Sequence, residues 1–125
     1  MSKKKILVVD DEQTILDLVK FRLEKQGYDI LLASTGADAL VLAKDENLDM
    51  VILDIMMPEM DGYEVLKRLR EELKLKDLPV MLLTAKSTDG DVWEGWQAGV
   101  DYYVTKPFSA NTLLRGVRLC LKEEE

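Results

Sequence analysis

Five short apolar runs, separated by longer amphipathic segments, dominate the pattern of hydrophobic and polar positions along the chain. The runs cover residues 5–9, 29–33, 50–54, 79–84 and 102–105. Most are continuous rather than alternating, which is typical of parallel strands covered on both faces. The sequence therefore predicts five buried strands.

The segments between these runs show the three-to-four-residue spacing of amphipathic helices. Apolar residues repeat in three of them: Leu16, Val19 and Leu23; Leu66, Leu69 and Leu73; and Leu114, Val117 and Leu121. Asp61, with Glu64 three residues later, predicts a capped start for the third helix. Gly27 predicts the end of the first helix. Five strand–helix repeats predict an α/β fold, a doubly wound five-stranded parallel sheet with helices on both faces.

Length, net charge and cysteine content limit the kinds of protein that this chain can be. The chain has 125 residues and a formal net charge of −7, which fits a single domain over residues 1–125 and argues against a nucleic-acid surface. The one cysteine, Cys120, excludes an intramolecular disulfide and is expected to be a packed, unreactive thiol. The lysines at 3–5 precede an apolar run too short for a signal peptide or a membrane span. We therefore expect a cytoplasmic protein that does not contact membranes.

Polar side chains collect where four of the five predicted strands end. Asp10 and Asp11 follow the first strand, and Asp54 ends the third. Thr84 ends the fourth strand, and Lys106 follows the fifth. Ligands of open parallel sheets bind at the carboxyl ends of the strands, so these side chains share one crevice if strands 1 and 3 are neighbours.

The residue types in this crevice point to phosphoryl chemistry. Three carboxylates close together repel one another unless a cation joins them. Because the chain has no histidine, an oxygen-only ligand set favours a hard divalent ion, with Mg2+ the best fit, over zinc or copper. Lys106 and Thr84 would complete a phosphate site, and Asp54 beside the ion can attack phosphorus to give an aspartyl phosphate.

Four stretches, ILVVDDE, VILDIMMPEMDGYEVLKRLR, LLTA and YYVTKPF, together resemble the receiver domain of two-component response regulators. The resemblance runs from Lys5 to about Leu121. It implies a flavodoxin-like, CheY-like sheet with strand order 2-1-3-4-5 and a phosphoacceptor switch that works by population shift. It also implies a sensor histidine kinase or phosphotransfer protein as the donor. A downstream effector domain or protein would bind the face formed by the fourth helix, fifth strand and fifth helix.

The resemblance also implies a role for each acidic residue of the crevice. Asp54 is the phosphoacceptor and a metal ligand. Asp11 binds Mg2+ directly and Asp10 largely through water, while Met56 offers its backbone carbonyl. The domain would promote its own phosphorylation and dephosphorylation rather than act as an enzyme on a separate substrate.

For the phosphoryl group, the resemblance implies a second set of roles. Thr84 and Lys106 hold the phosphoryl oxygens after transfer. Tyr103 stands at the aromatic switch position and turns inward when Thr84 moves to the phosphate. The Lys106–Pro107 peptide bond is expected to be cis, a state that is common only before proline.

Two further pairs of residues bear on function. Met56 and Lys86 would flank the approach of water to the phosphoryl group. Neither is a water-orienting carboxylate or amide, so we expect slow hydrolysis of the aspartyl phosphate.

Trp93 and Trp96 share one face of the predicted fourth helix. They either pack against the sheet or form an aromatic contact surface for a partner, and the sequence supports both interpretations equally.

Two other functions share features of this pattern. A Mg2+-dependent phosphatase or phosphotransferase of the haloacid dehalogenase-like class would need D-x-D after the first strand, where this chain has VVDDEQT. A flavodoxin-like cofactor binder would need a glycine- or hydroxyl-rich phosphate loop where DDEQTI is acidic. The receiver interpretation is favoured over both. A dimer mode common among DNA-binding receivers is in doubt, because GVDYY places Tyr102 where that mode uses an aspartate.

Overall fold

The computed structural model describes residues 3–85 and 99–123. The strands are β1 (Lys5–Val9), β2 (Asp29–Ala33), β3 (Met50–Asp54), β4 (Val80–Thr84) and β5 (Tyr102–Thr105). The helices are α1 (Gln13–Glu24), α2 (Gly36–Asp45), α3 (Gly62–Glu71) and a C-terminal helix (Ala110–Cys120). Lys86, Trp93 and Trp96 lie outside the described residues, so the predictions about them stay predictions.

The five strands are parallel and pair in the order β2-β1-β3-β4-β5, which confirms the predicted sheet. The predicted bounds differ from the observed ones only in β4, which begins at Val80 rather than Pro79. Proline has no N–H to donate to a neighbouring strand. The Pro79 carbonyl still accepts a hydrogen bond from the Val51 N–H at 3.0 Å, so the prolyl residue borders the sheet without belonging to it.

The sheet separates two apolar cores, and alternate residues of each strand supply both. Leu7 and Leu53 face the core that α2 and α3 cover. Ile6 and Ile52 face the opposite core, under α1 and the C-terminal helix. A strand buried on both faces is apolar along most of its length, which explains the continuous runs in the sequence. The doubly wound arrangement is therefore confirmed.

The helices bury the apolar faces that the sequence predicts, with two differences. All three predicted residues of α1 are buried. In α3, Leu66 and Leu69 are buried, whereas Leu73 follows the end of the helix. In the C-terminal helix, Val117 is the buried member of the predicted stripe, and Leu113, Gly116 and Cys120 complete the face. Across the described part of the chain, no helix is long and apolar enough to cross a membrane.

Side-chain caps set the start of three helices, whereas α1 begins without one. The capping pairs, written as acceptor side chain and donor N–H, are Thr35 with Asp38, Asp61 with Glu64 and Ser109 with Thr112. The predicted cap at Asp61 is thus confirmed. The residue that precedes α1, Glu12, makes no side-chain capping hydrogen bond. Beyond the end of α1, Gly27 has φ 92°, the left-handed conformation expected of a helix stop.

Arg70, near the end of α3, donates hydrogen bonds to the loop before β4 and to the residues before β5. Its Nη1 donates to the carbonyl oxygens of Leu75 and Leu78, each at 2.6 Å. Its Nη2 donates to the Gly99 carbonyl at 2.6 Å and to the Asp101 carboxylate at 3.3 Å. A planar guanidinium with several fixed N–H donors suits this set of acceptors, which an ammonium group would not match.

Gly62, the first residue of α3, packs directly against the end of β3. Its N–H donates to the Ile55 carbonyl at 2.8 Å. A Cβ at this position would lie 2.5 Å from the Asp54 carbonyl oxygen and 2.8 Å from the Ile55 Cα. Both contacts are with backbone, which cannot swing aside as a flexible side chain could.

We predict that Gly62→Ala destabilises the protein, although alanine is the better helix former. The added methyl group forces α3 away from β3, and overpacking of this kind costs about 1–3 kcal/mol in the free energy of unfolding. Urea denaturation measures this loss. Glu71→Ala, at an exposed position at the other end of α3, is the control and should change the free energy by less than about 0.5 kcal/mol. Equal stability of Gly62→Ala and the wild type would contradict the packing argument.

Candidate functional site

The strand register brings the two most important acidic residues side by side. Val9 of β1 lies opposite Leu53 of β3. Asp10 and Asp54, the next residue of each chain segment, therefore reach the carboxyl edge of the sheet at the same level. The predicted neighbourhood of strands 1 and 3, on which the crevice depends, is confirmed.

The ends of β4 and β5 place the lysine at the same edge. Thr84 lies opposite Thr105 in the register of these strands. The N–H of Lys106 donates to the Thr84 carbonyl at 2.7 Å, so the backbone of the lysine is held against the end of β4. The Lys106–Pro107 peptide bond is cis, as the resemblance implies.

The ammonium group of Lys106 joins the two buried carboxylates. Its Nζ lies 2.9 Å from Asp10 Oδ2 and 3.3 Å from Asp54 Oδ1. Asp10 is fully buried and Asp54 is only 4% exposed. Buried carboxylates require a partner charge and hydrogen bonds, which Lys106 supplies to both. The other oxygen of Asp10, Oδ1, accepts a hydrogen bond from the Glu12 N–H at 2.9 Å, so both oxygens of Asp10 are bound.

Charge compensation in this group is incomplete. Burial raises the pKa of the Asp54 carboxyl to about 6, the negative charge of Asp10 adds to the rise, and Lys106 opposes it only in part. Burial by itself lowers the pKa of the Lys106 ammonium, but its hydrogen bond to Asp10 and the charge of Asp54 outweigh that effect and raise the pKa. Lys106 therefore stays charged at neutral pH, while the ionised Asp54 stays unfavourable. A further cation at this edge would relieve the excess of negative charge.

Two more acids extend this edge towards solvent. Carboxylate oxygens of Asp10, Asp11 and Glu12 lie within 4.8 Å of one another. Asp54 is not part of this group of three; it is joined to Asp10 through Lys106. A set of carboxylate oxygens suits a hard ion such as Mg2+, and zinc or copper would prefer imidazole or thiolate ligands. The residues present therefore fit the predicted metal.

The other predicted residues lie around the same edge. Thr84 is buried at the end of β4, and Tyr103 is half-buried in β5, packed against the core under α2 and α3. The Met56 side chain, in the loop after β3, is 65% exposed. The switch and carbonyl-ligand roles of these three residues stay predictions.

One residue of this edge whose position the sequence did not predict is Glu12. Its Oε1 lies 3.6 Å from Lys106 Nζ, and its backbone N–H holds Asp10. A signal was available, since the chain has three consecutive acids after β1. The pattern could not show, however, that the third acid faces the lysine.

Comparison with known proteins places the chain in a family. A family model described as the response regulator receiver domain matches residues 6–118, which include every residue of this site. The chain belongs to the response regulator receiver domain family. The receiver is accordingly a phosphoacceptor switch of two-component signalling, and receivers bind Mg2+ at an acidic pocket. The fold and family predicted from the sequence are confirmed.

Individual relatives agree with this assignment. The receiver is 43% identical over 122 residues to the alkaline phosphatase synthesis transcriptional regulatory protein PhoP of Bacillus subtilis (strain 168), a match that covers 98% of this chain and 50% of that protein. The chain thus spans about half the length of this curated relative. The chemotaxis protein CheY4 of Vibrio cholerae superposes with a TM-score of 0.92 at 32% identity, covering 96% of this chain and all of that one. The receiver domain of the Francisella response regulator 1452 gives 0.88 at 37% identity, covering 96% and 98%.

We predict that Asp54→Asn stabilises the metal-free receiver at neutral pH. The pKa of Asp54 is about 6 in the folded protein against 3.8 for the free side chain, so the folded state prefers the protonated carboxyl. Its contribution is fully favourable below about pH 4 and is lost as the pH rises through 6. At pH 7.5 the variant should gain on the order of 2–3 kcal/mol in the free energy of unfolding, since one pKa unit corresponds to about 1.4 kcal/mol.

The gain should disappear near pH 4, where Asp54 is already largely protonated. Urea unfolding in the presence of a chelator, at pH 4 and pH 7.5, measures both values. Asp17→Asn, at an exposed position on α1, makes the same change in net charge and serves as the control. A gain of equal size at both pH values would show that the ionisation of Asp54 is not its cause.

Proposed function

We propose that Asp54 of this receiver accepts a phosphoryl group from a phosphohistidine on a sensor histidine kinase or phosphotransfer protein. The observation that carries the proposal is the shared contact of Lys106 with Asp10 and Asp54. It places a cation beside a poorly compensated carboxylate at the carboxyl edge of the sheet. One cluster of side chains can thus supply a nucleophile, a positive charge for the phosphoryl oxygens and an acidic pocket for a metal ion.

Asp11, Asp10, Asp54 and the backbone carbonyl of Met56 are the proposed ligands of Mg2+, with Asp10 acting largely through water. When bound, Mg2+ would neutralise negative charge on the carboxylates and the phosphoryl oxygens. The buried strands around the edge keep Asp10 and Asp54 from moving apart as the charge changes.

The proposed transfer is a displacement at phosphorus. A carboxylate oxygen of Asp54 forms the new bond to phosphorus, and the bond between phosphorus and the donor's imidazole nitrogen breaks, leaving the electron pair on that nitrogen. Lys106 donates hydrogen bonds to the phosphoryl oxygens, and Thr84 adds its hydroxyl after transfer. Because Lys106 is already within 3.3 Å of Asp54, little movement is needed to bring it to the phosphoryl group. In this scheme the receiver promotes its own phosphorylation and dephosphorylation and has no separate substrate.

The proposed output follows from Thr84 and Tyr103. As Thr84 moves to the phosphoryl group, the half-buried ring of Tyr103 turns inward, and the face formed by the predicted fourth helix, β5 and the C-terminal helix changes shape. Phosphorylation would then favour one of two pre-existing states. A downstream effector domain or protein would bind this face. We also propose that residues 1–125 form a single receiver domain and that it acts in the cytoplasm.

We expect one phosphoryl group to be added when the receiver is incubated with Mg2+ and acetyl phosphate. Intact-mass measurement should detect the adduct in the wild type and in Asp17→Asn, but not in Asp54→Asn, because the attacking carboxylate is lost. Removal of Mg2+ with a chelator should also prevent its formation. An adduct of equal amount in Asp54→Asn would place the acceptor elsewhere, and rapid release of phosphate from ordinary phosphomonoesters would indicate an enzyme instead.

We also expect slow hydrolysis of the aspartyl phosphate. Met56 and Lys86 supply neither a carboxylate nor an amide to orient water. Met56→Asn and Lys86→Glu should each release phosphate faster than the wild type once the donor is removed, as followed by a time course of the phosphorylated fraction. Failure of both variants to accelerate the loss would rule out this account of the slow rate.

A further inference from the structure

Glu12 precedes α1, but its side chain does not cap this helix. Residues that precede a helix are commonly Ser, Thr, Asp or Asn, whose oxygen accepts a hydrogen bond from the first turn. Glu12 occupies this position before α1 but makes no such bond. Its Oε1 lies instead 3.6 Å from Lys106 Nζ, across the crevice. Helix formation therefore does not explain where this carboxylate lies.

Lys106 is shared by three carboxylates at graded distances. Its Nζ is 2.9 Å from Asp10, 3.3 Å from Asp54 and 3.6 Å from Glu12. The side-chain exposures of these acids are 0%, 5% and 60%, so Glu12 is the outermost and the least confined by packing. The first two contacts are short, and the contact with Glu12 is long enough to tighten.

Binding of a divalent cation at Asp10 and Asp11 would disturb this sharing. Two positive groups close together repel, especially where water is excluded. Lys106 would then lose part of its attraction to Asp10 and, because Asp54 is also a proposed metal ligand, part of its attraction to Asp54, so a further anion beside it would help to hold it at the carboxyl edge. Glu12 is a carboxylate within reach of the ammonium group, and although its oxygen lies within 4.8 Å of those of Asp10 and Asp11, the proposed function does not use it as a metal ligand.

We propose that Glu12 is a positioning residue for Lys106: it takes the ammonium group when Asp10 turns to a divalent cation, and so holds Lys106 beside the phosphoryl group on Asp54. This inference rests on the proposed function of Asp54. It assigns Glu12 an effect on the rate of phosphoryl transfer through the lysine, rather than a place among the metal ligands.

The test separates positioning of Lys106 from binding of Mg2+. Calorimetric titration of the unphosphorylated receiver measures the Mg2+ dissociation constant, and intact mass follows phosphorylation by acetyl phosphate at saturating Mg2+. For Glu12→Gln, the dissociation constant should rise no more than about fivefold, the effect of one exposed charge. The rate at saturating Mg2+ should fall about tenfold, because the lysine is misplaced but present. Glu24→Gln, exposed at the far end of α1, should change neither quantity.

Two further variants show whether the effect passes through the lysine. Glu12→Asp keeps the charge and should recover part of the lost rate. In a Lys106→Met background, Glu12→Gln should slow phosphorylation less than about twofold, because effects that act through one group are not additive.

The opposite outcomes overturn the proposal in distinct ways. A rise of more than about tenfold in the Mg2+ dissociation constant, with the rate restored by excess Mg2+, would make Glu12 a metal ligand. A rate equal to that of Glu24→Gln would show that Glu12 has no positioning role. A wild-type receiver that gains no phosphoryl group would instead refute the proposed function itself.

Discussion

The ammonium group of Lys106 holds together two buried carboxylates that would otherwise repel each other across the carboxyl edge of the sheet. The contacts at 2.9 Å to Asp10 and 3.3 Å to Asp54 allow both acids to stay withdrawn from water. The compensation is partial, as the raised pKa of Asp54 shows. Full neutralisation would remove the attraction for a divalent cation, and no compensation would destabilise the fold. The negative charge at the site of this receiver is balanced only in part, between these limits. This suits a site whose charge must change reversibly.

The apolar scaffold gives this cluster its geometry. Because alternate residues of one strand pack into two different cores, a strand cannot slide along its neighbour without exposing apolar surface on both faces. The end of β3 is held further by the start of α3, where Gly62 packs on the backbone of Asp54 and Ile55. Asp54 therefore combines a fixed backbone with a side chain whose charge is only partly balanced.

The sequence predicted the parts of the structure that depend on local patterning. Continuous apolar runs indicated the strands, and the polar residues at their ends indicated the crevice. The position of β3 beside β1 came from the family resemblance, since periodicity carries no information on strand order. The side-chain contacts of Glu12 were beyond the sequence because they depend on torsion angles set by packing. The buried face of the C-terminal helix was only partly predicted, since the pattern could not choose between the adjacent Leu113 and Leu114, and Gly116 and Cys120 are small residues that add little to an apolar pattern.

The hydrogen bonds of Arg70 have a consequence for the design of chimeric receivers. The carbonyl oxygens of Leu75 and Leu78 in the loop before β4, and that of Gly99 before β5, all depend on one guanidinium on α3. A loop transplanted from a relative would bring its own carbonyl positions but not the donor that binds them. The natural unit of exchange therefore includes the end of α3 together with the loop, and its boundary lies before Arg70 rather than at the end of the helix.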